Sequence, residues 1–180
     1  MLKMLIKGVD YWDEAEERFI KTKDTELCLE HSLVSVSKWE SKWHKHFIGN
    51  ETLTQEMLVD YVRCMTLTQN VNPEVYYAIT DDQYAQIKEY IDDSMTATWF
   101  SESTEKKFSR DIITSEIIYY WMIALQIPFE CQKWHLNRLL TLIRVCNEKN
   151  QPEKKMSQSE VMRRNREINE ARRRALNSKG

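Results

Sequence analysis

"EIIYYWMIALQIPFECQKWHLNRLLTLIRVCNEKN", residues 116–150, is a strongly apolar stretch in a chain whose mean hydropathy is −0.62. It sets two Trp, two Tyr, two Cys and one His among aliphatic and Met side chains. A membrane, a reactive site, a buried core and a partner surface are its four possible destinations. From Ile117 to Phe129 thirteen residues pass without a charge, and Glu116 and Glu130 close the run. A span needs about 20 apolar residues, so a core helix is expected here and not a membrane segment. Pro128 divides the stretch into a helix over 113–127 and a second over 128–151. In the second, Phe129, Trp134, Leu136, Leu139, Leu140, Leu142, Ile143 and Cys146 cover a wide apolar arc.

Working outward, the same periodicity recurs upstream. Val36, Trp39, Trp43 and Phe47 follow 3–4 spacing over 35–49, with Ser35 or Ser37 as cap and Gly49 as stop. Over 52–67, Thr54 precedes Met57, Leu58, Tyr61, Val62 and Met65 on one face. Residues 70–79 form a connector around Pro73. Over 80–93, Thr80 or Asp81 caps a short helix with Tyr84, Ile87 and Ile91 inside. Residues 94–111 read as β-like and then loop. The N-terminal "MLKMLIKG" (1–8) and the short alternations around Phe19–Ile20 and Leu27–Leu29 predict two or three strands. The fold class expected is therefore mainly α: a β element over 1–34, a helical body over 35–150, and a basic linker and helix over 151–180. Only 3 Gly and 3 Pro in 180 residues argue against an all-β sandwich and for a helix-rich fold.

Charge is spread unevenly. Residues 153–180 hold nine Lys/Arg and four Asp/Glu, a balance of +5, against −7 for residues 1–152. In the tail, Arg163, Arg164, Arg166, Arg172, Arg173 and Arg174 carry forks suited to phosphate. Yet Glu160, Glu167 and Glu170 stand among them at pairing distance, and no aromatic residue is interleaved for base stacking. A solvated helix, or one that docks on acidic protein, fits better than a nucleic-acid contact.

Catalytic signals are weak. The sequence has no GxGxxG, GxxxxGK[ST] or GxSxG, so nucleotide cradles and nucleophile elbows lose their basis. Cys28, Cys64, Cys131 and Cys146 form no CxxC, and the N-terminus lacks a signal-peptide pattern, which together predict a cytosolic chain with reduced, mostly buried thiols. His44 and His46, two apart on a helix, point to different faces. Cys131 with His135, and Cys28 with His31, have chelating spacing, but a zinc site needs these pairs to meet in space. No cofactor is expected. Six Trp and eight Met are generous, and such side chains are enriched in the buried parts of interfaces.

Four phrases carry a resemblance: "LEHSLVSVSKWESKWHKHF", "MTATWF", the 113–150 segment, and "KKMSQSEVMRRNREINEARRRALNSKG". Across nearly the whole chain they resemble a family of tailed-bacteriophage proteins commonly called tail assembly chaperones. The resemblance implies a small, largely helical, non-catalytic protein of the host cytoplasm that is absent from the mature virion. Its implied partner is the tape-measure protein, a long helical chain with apolar stretches, with the tail tube protein and a second copy as further candidates. On that reading Trp121, Trp134, Leu139 and Arg138 lie on or near an apolar groove, and the basic tail contacts acidic tube or tape-measure surface. Two alternatives stay open: a virion structural component such as a head–tail connector or tail terminator, and a nucleic-acid-binding accessory factor.

Overall fold

Alternation of side chains builds the N-terminal ribbon. The computed structural model describes residues 1–14, 17–50, 52–100, 112–150 and 158–176. Strand β1 (Leu2–Ile6) pairs antiparallel with β4 (Thr25–Leu29), and β2 (Asp10–Asp13) with β3 (Arg18–Lys21). Leu2 faces Leu29, Ile6 faces Thr25, Asp10 faces Lys21 and Asp13 faces Arg18; every pair adds to 31, so both ladders belong to one ribbon in one register. Four short strands thus stand where two or three were expected.

The interruption between the ladders has a local cause. At Gly8 an added Cβ would lie 2.4 Å from the Thr22 carbonyl oxygen, so the two backbones press together there. Side chains replace ladder bonds: the Val9 N–H donates to Thr22 Oγ1 (2.9 Å) and the Gly8 N–H to Asp24 Oδ1 (2.7 Å). On the near half of the ribbon Met4, Ile6, Leu27 and Leu29 are buried and join the main core. The outer edge of β4 is covered by the chain leaving α2, where the Leu67 N–H donates to the Cys28 carbonyl (2.8 Å) and the Glu30 N–H to that of Met65 (2.9 Å).

Helices follow: α1 (Leu33–Trp43), α2 (Gln55–Met65), α3 (Asp81–Asp92), α4 (Ser115–Ala124), α5 (Leu136–Asn150) and α6 (Gln158–Leu176). The protein is mainly α with a small N-terminal β element. The ribbon and α1 to α4 fall in one compact unit, Met1–Asn147, so the segments expected as 1–34 and 35–150 share one core; the second unit is Glu148–Gly180. Thr54, which precedes its apolar run, caps α2, and Thr80 rather than Asp81 caps α3, each accepting a backbone N–H three residues on. Pro73–Ala78 forms a 3-10 turn. Residues 94–100 form no strand, and 101–111 lie outside the described residues.

Helix α4 stops at Ala124, short of the expected 127, and two helices depart further from the sequence reading. Helix α1 starts earlier, capped by Ser32 in a reciprocal box with Ser35, and ends earlier, at His44 in the left-handed region (φ 52°). Phe47 is therefore not on the helix, although its spacing continues the stripe. The expected helix over 128–151 is broken. Phe129–Lys133 is a 3-10 turn, Trp134 is extended, His135 bridges to Ser32, and the Leu136 N–H donates to the His31 carbonyl (2.7 Å) before α5 begins. Pairing with the end of β4 outcompetes one more helical turn.

Two buried acids lock α1 to its neighbours. Asp60 of α2 accepts from Lys42 Nζ and from Trp43 Nε1 (2.9 Å), while Trp39 Nε1 donates to the Met57 carbonyl (2.9 Å). Glu40 accepts from the Phe47 N–H through Oε1 (2.9 Å) and from the Ser115 N–H through Oε2 (2.7 Å). Thr114, the residue before α4, makes no side-chain cap of its own. Glu40 therefore caps α4 from across the core, where a carboxylate also meets the positive helix end. Helix α6 is exposed along its described side chains, and Arg163 pairs with Glu167 at 3.8 Å. The expected cap Ser157 lies outside the described residues, and Ser159 falls inside the helix.

Replacing Glu40 by Ala strands two backbone donors and is expected to cost about 3 kcal/mol or more. Glu40→Gln keeps one acceptor and is expected to cost about half as much. Urea unfolding at neutral pH measures both.

Candidate functional site

Helix α2 faces the core on one side with Met57, Tyr61, Val62 and Met65. Its neighbour α3 buries only Ile87 and Tyr90. Between the two, and closed at one end by the loop after α1, lies an open cleft of about 630 Å³. Its floor is apolar: Phe47, Leu53, Leu58, Tyr61, Ile87 and Ile91. Its rim carries Asp81, Lys88 and Asp92 of α3. Leu58, 37% exposed, is the most exposed of these apolar residues. The volume lies within the range of about 300–1,000 Å³ usual for ligand pockets.

Tyr61 is fixed from behind. Phe47 stacks on its ring (centroids 3.8 Å apart, 23° between planes), and the rings of Trp39 and His31 continue the contact on either side. The Tyr61 hydroxyl meets His31 Nδ1. His31 lies edge-on to His135 (5.1 Å), which lies edge-on to Tyr90 (5.0 Å). His135 Nε2 donates to the Tyr90 carbonyl (2.9 Å) while its Nδ1 accepts from the Asn137 N–H (3.3 Å), which defines a neutral Nε2–H tautomer. Tyr90 in turn donates through its hydroxyl to Glu30 (2.7 Å).

Burial holds His31, Tyr61 and Tyr90 in their neutral forms. Burial, and then the neighbouring His135, lower the His31 pKa to about 3. Burial pushes the Tyr61 phenol well above its ordinary value, and burial with the Glu30 hydrogen bond does the same for Tyr90. His31 and His135 each lie under a tenth exposed. These groups set the geometry of the cleft's back wall.

The two spacings considered for metal bring their histidines together, but not a full donor set. Among the described residues no three His, Cys, Asp or Glu side chains converge as a metal site requires. All four cysteines are free thiols. Burial raises the pKa of Cys64 to about 11 and also raises that of Cys131. No described helix is long and apolar enough to cross a membrane.

The partner residues expected from sequence scatter. Leu139 is 0% exposed, belongs to the core and is not among the residues that line the cleft. Trp121 and Trp134 are half-buried against that core. Arg138 is exposed and lays its guanidinium over the Trp134 ring at 4.3 Å. Arg163, Arg164, Arg172 and Arg173 are exposed on α6; the Arg174 side chain lies outside the described residues. The outer face of α4 is apolar as well: Tyr120 (66%) and Ile123 (62%) face away from the buried Ile118 and Met122. Sequence reasoning assigned Leu58, Tyr84 and Ile91 to buried faces. Their place at the edge of each stripe was the signal that went unused.

Comparison with known protein families, with curated proteins and with solved structures finds no match.

The buried imidazole makes stability depend on pH. His31 titrates near its ordinary 6.5 when unfolded and at about 3 when folded. Below pH 6.5 the unfolded chain therefore binds a proton that the folded chain refuses, and stability falls by up to about 1.4 kcal/mol per pH unit. Unfolding free energies from urea titration at pH 6.5 and 4.5 are expected to differ by about 2–3 kcal/mol more in the wild type than in His31→Gln, which has no such proton to take up.

Proposed function

We infer that the chain is a tail assembly chaperone of a tailed bacteriophage, a non-catalytic protein that holds the tape-measure protein before the tail tube assembles around it. The observation that carries this reading is the open, apolar-floored cleft between α2 and α3. The exposed apolar face of α4 adds to it, and the sequence phrases set out above supply the family. A grooved helical surface binds an amphipathic helix by burying its apolar ridge, with specificity set by flanking polar groups. Such binding needs no nucleotide. Release follows by mass action when tube subunits compete for the same client. On this reading the protein works in the host cytoplasm and leaves before the virion is complete.

Co-expression with the tape-measure protein of the same phage tests the reading. Soluble tape measure that co-purifies with this chain, together with absence of the chain from purified particles, is the expected result. Insoluble tape measure, with this chain present in particles at fixed copy number, identifies a virion structural component instead.

A further inference from the structure

The charge around the cleft says what kind of helix fits it. Helix α3 carries Asp81, Asp82, Glu89 and Asp92 against a single base, Lys88. Asp92 is in its last turn, Asp93 caps its end, and the last turn holds no basic residue. Acids there face the negative end of the helix dipole, where a carboxylate opposes helix stability instead of supporting it. Asp92 also lines the cleft. The floor offers apolar rings and aliphatic side chains; the rim offers negative charge at both ends of α3 and one lysine between them.

We propose that the α2–α3 cleft takes the apolar ridge of a partner helix whose flanks are Lys and Arg, one of these cations closing on Asp92 at the C-terminal end of α3. The proposal rests on the chaperone reading for the origin of the helix and deepens it by fixing the surface and the chemistry of the client segment. The partner's anchors repeat at i, i+3, i+4 and i+7, the spacing that lets one helix ridge settle between two others. Phe47, Leu58 and Ile91 meet those anchors. Asp92 is a specificity device: it costs the free protein some helix stability and repels acidic helices that share the same apolar ridge.

Two synthetic amphipathic peptides with one apolar ridge, flanked by Lys/Arg in one and by Glu in the other, serve as probes for the full-length chain. Fluorescence anisotropy is expected to show binding of the basic peptide alone, weakening as salt rises. Leu58→Asp is expected to weaken it at least about tenfold. Asp92→Lys is expected to weaken it about fivefold while raising the melting temperature, which separates lost recognition from lost folding. Equal binding of both peptides, or affinities unchanged in both variants, overturns the proposal. So does a wild-type dimer in sedimentation that Leu58→Asp dissociates, because the occupant is then a second copy. Tape measure retained equally by wild type and both variants overturns the cleft and leaves the chaperone reading standing. Basic-peptide binding that both variants lose, without any retention of tape measure, supports the cleft and overturns that reading.

Discussion

The Glu40 carboxylate, buried between α1, the chain that follows it and the start of α4, fixes the rest of the arrangement. Its two oxygens take the N–H groups of Phe47 and Ser115, and its own carbonyl takes the N–H of His44, which ends α1. His44 ends α1 by its left-handed φ, and the Glu40 side chain then holds the returning chain and starts another helix. A buried carboxylate is tolerable only because each oxygen meets a donor. The consequence reaches the cleft directly, since Phe47 is held where it stacks on Tyr61 and closes the cleft's end.

From Tyr61 the order passes inward through rings rather than through charges. Phe47, Tyr61, His31, His135 and Tyr90 touch in series, and their polar atoms find partners within the core. The series joins the end of β4, α2, the end of α3 and the start of α5. These are the elements whose relative placement sets the back of the cleft. A rigid wall behind an open apolar floor suits recognition of a preformed helix, because little entropy is lost on the protein's side.

Much of this was legible in the sequence, and the misses share one cause. Helices α2 and α3 followed from spacing and from Thr54 and Thr80, because caps and periodicity are local. The end of α1 was misread because His44, not a glycine, takes the left-handed position, and because Phe47 continues the helical spacing by coincidence. The break at Trp134–His135 depends on pairing with His31 and Ser32, a hundred residues upstream, which no local pattern announces. The cleft was hidden for a related reason. Leu58, Tyr84 and Ile91 look like core residues along their own helices, and only the spacing between α2 and α3 leaves them uncovered. Leu139 shows the converse: an apolar side chain in a promising stretch that the fold simply buries.

If the protein is the proposed chaperone, two apolar surfaces compete for the role of client site, the α2–α3 cleft and the outer face of α4. A photo-crosslinking amino acid placed at position 58 or at position 123, in chains co-expressed with tape measure, distinguishes them in one experiment. The account predicts a covalent adduct with tape measure from position 58, mapping to a helical segment flanked by Lys and Arg. Adducts from position 123 alone, or mapping to an acidic segment, would contradict it.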